Sequence, residues 1–476
     1  VASRREMRDK GKSREEKLKA LLRSRFAELA PQSLRDILSE LGRRGFKAYA
    51  VGGGVRDLLL EREVKDWDVA TDATPSEVQE IFPHTVPTGI EHGTVTVIAD
   101  ERSFEVTTFR RDSEYIDARH PKEVFFSKDI GEDLARRDFT VNAIAYQPVH
   151  DEVKAAEGAL RDLEARTIRT VGDPVERFRE DGLRPLRAIR FACQLDFDID
   201  EGTFHSIPGV LDRVSLVSQE RVRDEIVKIL ECEKPSRGLD LMHQSGLLAM
   251  FLPELDSSRG IAQNEFHAYD VYWHSLCTCD AVPGDKPLVR LAALLHDIGK
   301  PSMKEDREGR VTFYNHQHVG AEMTAKIIDR LRFSSAQREY VVKLVDNHMF
   351  DYHSDWTDGA LRRFVRRVGV DAIADVFDLR IADYLGNGLR QGFPHYLDEM
   401  RARIDRILEE DDALSEADLE VDGNDVMKEL GIGRGKAVGA ALRELLELVL
   451  DDPRLNKREE LLARLREMKR SGRALG

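Results

Sequence analysis

Apolar residues recur at Leu34, Ile37, Leu38 and Leu41, one face of a helix over residues 31–45. The period then shortens. AYAVGGGVRD (48–57) reads as a strand, a glycine turn and a helix start, and WDVATDA (67–73) as a strand entering a loop. TVTVIAD (94–100) and SFEVTTFRR (103–111) read as two strands joined by a turn at Asp100-Glu101, and residues 111–130 as a polar, mobile loop. After RRDFTVNAIAYQPV (136–149) the strand signals fade, and from residue 174 the pattern is helical almost to the end. The predicted fold is α+β, a small head with a mixed sheet followed by an all-α remainder.

Length and composition narrow this picture. A chain of 476 residues with 41% hydrophobic and 34% charged residues is predicted to be globular and to hold several domains. We divide it into a basic N-terminal arm (1–30), a head (31–173), a helical neck (174–255), a body (256–400) and a helical tail (401–476). No stretch approaches the roughly 18 apolar residues of a membrane helix. The N-terminus lacks the apolar core of a signal peptide, so the expected location is the cytoplasm. Cys193, Cys232, Cys277 and Cys279 form no C-x-x-C pair and are read as reduced thiols. A net charge of −15 argues against indiscriminate coating of nucleic acid, but a local basic stripe still suffices for RNA. Arg4 to Arg25 is one such stripe or, equally, a solvated helix.

Chemistry first gathers at KDWDV. On a strand, Asp66 and Asp68 would share one side while Trp67 faces the core. Two convergent carboxylates suit Mg²⁺. Gly52-Gly53-Gly54 lies upstream, where a glycine turn lets backbone N–H groups approach phosphates, with Gly53 and Arg56 as triphosphate contacts. Glu105, on a neighbouring strand, is either a third carboxylate of the site or an ordinary edge-strand charge.

Glycine turn and D-x-D together resemble the head signature of the nucleotidyltransferase superfamily. RRDFTVNA (136–143) is similar to the next motif of the bacterial-type, class II tRNA nucleotidyltransferases and their poly(A) polymerase relatives. The resemblance implies that Arg137 and Asp138 bind the nucleotide and its ribose. RFREDGLRPLRAIRF (177–191) resembles the family's neck helix, in which Glu180, Asp181 and Arg184 would read the incoming base, with Arg187 and Arg190 continuing the series. In one helix, Asp181 and Arg184 would lie on adjacent turns of one face.

The base choice follows from chemistry. Cytosine and adenine each offer an amino donor beside a ring-nitrogen acceptor, matching an Asp acceptor and an Arg donor. Uracil and guanine offer the reverse, and each unmatched buried polar group costs roughly 1–3 kcal/mol. The resemblance therefore implies template-independent addition of CCA to tRNA from CTP and ATP. Partial A or CC addition and poly(A) synthesis are the alternatives. Asp117-Ala118-Arg119-His120-Pro121 corresponds to the family's loop for the switch from C to A, where relatives read D-G-R-R-P.

Downstream, His296-Asp297 ends the apolar run VRLAALLHDIGKP, and adjacent buried His and Asp need a partner such as a metal. His274 and Asp383 complete a His, His-Asp, Asp set, with His316 and His348 as further ligands. Such donors suit Zn²⁺, Ni²⁺, Mn²⁺ or Fe²⁺. The segment resembles an HD-type metal phosphohydrolase. In the tail, Gly431-Ile432-Gly433-Arg434-Gly435-Lys436 is either a phosphate contact to the tRNA body or a plain turn between helices.

Overall fold

The computed structural model describes residues 4–112, 124–263, 267–307, 310–390, 392–410 and 414–471. The chain forms two compact units, residues 1–251 and 252–476.

In the first unit, α1 (Arg4–Leu29) and α2 (Gln32–Arg43) precede β1 (Ala48–Val51), α3 (Gly53–Leu59) and β2 (Asp68–Thr71). Then come α4 (Pro75–Ile81), β3 (Thr85–Gly89), β4 (Thr94–Ala99), β5 (Arg102–Thr108) and a ribbon of β6 (Arg110–Asp112) with β7 (Val124–Phe126). α5 (Ile130–Ala135), β8 (Ile144–Gln147), β9 (Glu152–Ala155) and α6 (Ala159–Glu164) finish the head. The sheet order is β3-β4-β5-β2-β1-β8-β9. Only β2 and β5 pair in parallel, so the sheet is mixed.

The predicted periods hold where they were clear. Leu34, Ile37, Leu38 and Leu41 are all buried on α2. The β4–β5 hairpin turns at Asp100-Glu101, both at positive φ, the geometry a tight hairpin demands. β9 was not foreseen, because EVKA is polar and half-exposed at a sheet edge.

At its C-terminal end the arm packs against the head, which neither reading of it foresaw. Leu22 and Phe26 are buried, and Phe26 sets its ring edge-on to Trp67 and Tyr146 at 5.7 and 5.4 Å. Burying each such side chain is worth about 1.5–3 kcal/mol. The exposed pairs Arg23–Asp151 and Arg25–Glu61 add little beside that.

The neck is not one helix. α7 (Pro174–Glu180) stops at Asp181, and α8 (Arg184–Leu195) restarts three residues later. Gly182 fills the break because a Cβ there would come within 2.5 Å of the Arg213 carbonyl oxygen. α9 (Glu201–His205), α10 (Leu211–Val214) and α11 (Gln219–Leu230) follow.

Among its described residues the second unit is helical apart from one short antiparallel strand pair, Glu305–Arg307 with Arg310–Thr312. Its tail has a core of its own, including Val426, Leu445, Leu446 and Leu465. Helix Lys436–Asp451 of the tail also meets helix Asp358–Val368, where Arg363 pairs with Glu447 at 2.7 Å. Among the described residues no helix is long and apolar enough to cross a membrane.

Candidate functional site

The parallel register of β2 and β5 sets Asp68 directly opposite Glu105. Both line a cavity of about 310 Å³ together with Thr107, Arg136, Arg137, Asp138, Asp181, Arg184 and Arg187. Burial pushes the Asp68 carboxyl up to about 6; Glu105 and Asp66 push the same way, and Arg137 opposes them. Gly52 comes close to the site side chains. It holds φ +73°, and a Cβ there would lie 3.0 Å from Arg137 Nη1 and 3.5 Å from Asp68 Oδ2.

Asp138 and Arg137 both line the cavity but have different partners. Asp138 pairs with Arg187, whose Nε and Nη2 donate to Oδ2 at 2.9 and 2.6 Å. Burial opposes the Asp138 charge, but Arg187 and then Arg184 hold the carboxyl well below its usual range. Arg137 instead shares the buried Asp133 with Arg136. Asp133 and Arg136 were missed in the sequence, although Asp133 stands one helical turn ahead of the arginine pair. Asp181 lies at the end of α7 and Arg184 at the start of α8, so they meet across the break rather than along one helix face.

Four candidates lie off this cavity. Arg56 is buried, and its guanidinium is held by Asn142 at 2.6 Å and by Asp57. Gly53 begins α3 beneath the loop and is not part of the cavity wall. Arg190 is locked to Glu225 at 2.5 Å. Asp66 is exposed and precedes β2, so the strand alternation invoked for it does not apply. It lines a neighbouring cleft with Arg62, Lys65 and Arg190. Trp67 is buried as expected.

In the second unit, helices Val271–Ala281, Pro287–Leu295, His316–Arg330 and Ile373–Gly386 bring His274, His296, Asp297, His316 and Asp383 together. His348 joins them just beyond helix Ser335–Asp346. Each histidine turns Nδ1 toward a backbone carbonyl: Gly386 for His274, Ala293 for His296, Phe313 for His316 and Val345 for His348. That fixes the tautomer and aims every Nε2 inward.

Asp297 is shared between two groups. Its Oδ2 lies 3.1 Å from His296 Nε2 and 3.5 Å from His274 Nε2, and its Oδ1 lies 3.2 Å from His316 Nε2. The ligand atoms of His274, His296 and Asp297 lie within 4.8 Å of one another, as do those of Asp297, His316 and His348. Asp383 Oδ1 reaches His274 Nε2 at 3.1 Å. Nε2 of His274 and His296 and Oδ2 of Asp297 are buried without a well-formed hydrogen bond. Burial, then His296 and His316, push His348 down to about 3, which keeps its ring neutral. Imidazole nitrogens and a carboxylate converging on one buried spot are a donor set that suits a transition metal.

Residues 48–169 match the family described as the poly A polymerase head domain, and residues 196–259 the probable RNA and SrmB-binding site of polymerase A. Residues 265–388 match the HD domain. The chain thus carries a poly A polymerase head domain, the RNA-binding segment of polymerase A and an HD domain in that order. It is 47% identical over 205 residues to a CCA-adding enzyme of Enterococcus faecalis, which is 43% of this chain and 49% of that relative. It thus spans about half the length of the relatives it matches. The crystal structure of Bacillus stearothermophilus CCA-adding enzyme in complex with CTP shares its fold with TM-score 0.71 and 28% identity. That match covers 92% of this chain and 98% of the other. Thermotoga maritima CCA-adding enzyme complexed with tRNA shares the fold alone, at TM-score 0.56 and 20% identity, over 93% and 97% of the two chains.

Two segments remain to be placed. The loop at Asp117–Pro121 lies outside the described residues. The glycine run of the tail is a turn, with Gly431 left-handed as it ends helix Gly423–Leu430, and Arg434 and Lys436 are exposed on it.

Proposed function

We propose that the protein adds CCA to the 3′ end of tRNA from CTP and ATP. The convergence that carries this reading is the facing pair Asp68–Glu105 in one cavity with Arg137, Arg187, Asp181 and Arg184. Similarity to CCA-adding enzymes, one of them solved with CTP and one with tRNA, supports it.

The residues divide the work. Asp68 and Glu105 form a facing carboxylate pair, with Asp66 just outside the cavity; burial first, and then these two like charges, raise the Asp68 carboxyl, and such a pair fits Mg²⁺. When bound, Mg²⁺ there supplies charge neutralisation for the attacking hydroxyl and the departing pyrophosphate. Arg136 and Arg137 face the cavity as phosphate donors, preset by Asp133. Asp138, fixed by Arg187, offers acceptor capacity to a ribose hydroxyl. Asp181 accepts from the base amino group and Arg184 donates to its ring nitrogen. Glu180 steadies Arg184 through a 2.5 Å contact with Nη1.

The test is direct. Offer tRNA lacking its CCA end with each nucleotide alone and in pairs, and read product length. Growth by CTP and ATP that stops after three residues is expected. Unlimited A addition indicates a poly(A) polymerase, and arrest after CC or a requirement for a CC end indicates a partial enzyme.

A second reading concerns the other unit. The converging donor atoms of His274, His296 and Asp297, with Asp383, His316 and His348, support a transition-metal phosphohydrolase centre. A metal held there supplies Lewis acidity toward a phosphate ester. Terminal phosphate or 2′,3′-cyclic phosphate on damaged RNA is the substrate class that would serve CCA addition, since either blocks the accepting hydroxyl.

A further inference from the structure

The base-reading carboxylate is not left to orient itself. Asp181 accepts from Arg221 in a two-pronged pair, Nη1 to Oδ1 at 3.2 Å and Nη2 to Oδ2 at 2.8 Å. The backbone N–H of Leu183 donates to Oδ1 at 3.0 Å. A carboxylate oxygen has two lone-pair directions. Among the described residues, Oδ1 therefore has both directions occupied and Oδ2 has one left. Asp181 lines the cavity and Arg221 does not, so the guanidinium grips the carboxylate from outside the nucleotide's space.

We propose that Arg221 is a positioning residue for base selection. It leaves Asp181 a single aimed acceptor, enough for one exocyclic amino hydrogen. Arg221 sits on α11, the helix whose Glu225 fixes Arg190 of α8. The Arg213 carbonyl just ahead of that helix closes on Gly182. One helix thus holds the broken neck from behind at the Asp181 side and at the far side of α8. A carboxylate gripped at one oxygen only could still rotate, whereas a bidentate fork fixes its plane.

This inference rests on the reading of Asp181 as a base-selecting group, and the experiment separates the two. Measure single-turnover addition of all four nucleotides to tRNA lacking its last residues, with Arg221→Gln, Arg221→Lys, Asp181→Ala and the double variant Asp181→Ala/Arg221→Gln. Arg221→Gln is expected to lower the preference for CTP over UTP by about tenfold or more, the scale of one mispaired buried polar group, with tRNA affinity and melting temperature little changed. Arg221→Lys keeps the charge but loses the fork, and should fall between. In the Asp181→Ala background, Arg221→Gln should remove no further preference, since the two act as one unit. A folded Arg221→Gln protein that keeps the wild-type preference while Asp181→Ala loses it overturns the positioning role alone. So does an equal loss for all four nucleotides. If Asp181→Ala itself discriminates normally, both readings fall. Should Arg221→Gln not fold, Arg221→Lys makes the same comparison.

Discussion

The two acidic centres solve opposite electrostatic problems. In the head, Asp68 faces Glu105 and feels Asp66, and its carboxyl is pushed up to about 6. In the second unit, Asp297 is more deeply buried, yet it is held well below the usual carboxylate range. Burial alone would raise it; His296 and Lys300 outweigh that, with Lys300 Nζ 2.6 Å from Oδ2. The head thus holds a carboxyl that burial and its like-charged neighbours raise, with Arg137 offsetting them only in part. The HD centre is balanced within itself, so an entering metal must compete with a lysine and with protons on histidine.

The largest expected effects test whether the centres are as separate as their chemistry. Asp68→Ala should lower nucleotide addition by at least on the order of a thousandfold, several kcal/mol of lost charge stabilisation, while phosphohydrolase activity persists. Assaying both activities on one preparation checks this, and a joint loss would contradict it. The converse change, His296→Ala/Asp297→Ala, should remove bound transition metal and hydrolysis of 2′,3′-cyclic phosphate. Addition to an intact 3′-hydroxyl should stay within about twofold once folding is verified, because the replaced groups lie in the other compact unit. Metal analysis by mass spectrometry provides the first readout. Asp66→Ala then sharpens the head itself. If Asp66 swings in to share the ion, its loss should approach that of Asp68; an exposed bystander would cost little.

Local patterns made much of this readable from residues alone. The strand, glycine turn and helix at 48–59 and the Asp100-Glu101 hairpin each announce themselves within a dozen positions. The HD ligands lie far apart in sequence, but His-Asp after an apolar run is a local mark. What escaped was pairing at a distance. Asp138 lies next to Arg137 in sequence, yet bonds Arg187, 49 residues away, because α8 packs over the loop. Arg56 was read as a phosphate contact and Arg190 as part of the base-reading series, but each found a buried acceptor first, Asn142 and Glu225. Asp66 was assigned to a strand that begins two residues later. The break at Gly182 was signalled by Gly182 itself and by Pro185 at the start of α8, and the family's description as a helix overrode both.

The smallest predicted effect is a stability change that follows from the raised Asp68 carboxyl. A carboxyl with its folded pKa raised from 3.8 to about 6 is harder to ionise in the native protein than in the unfolded chain. Below pH 3.8 Asp68 is protonated in both states and contributes nothing. As pH rises from there toward 6, the unfolded state releases its proton first and gains on the native state. Above 6 the penalty is full and constant, on the order of 2 kcal/mol after allowance for solvent screening. Asp68→Asn keeps the shape and removes the charge. In metal-free protein it should therefore raise the melting temperature of the first unit by a few degrees at pH 7.5, with the gain shrinking toward zero near pH 4. Saturating Mg²⁺ should narrow the difference from the other direction, by stabilising wild type more than the variant. Thermal melts across pH, with chelator and with Mg²⁺, decide the matter. If Asp68→Asn destabilises the chelated protein at pH 7.5, the head carboxylates are compensated in the resting protein and the contrast between the two centres fails.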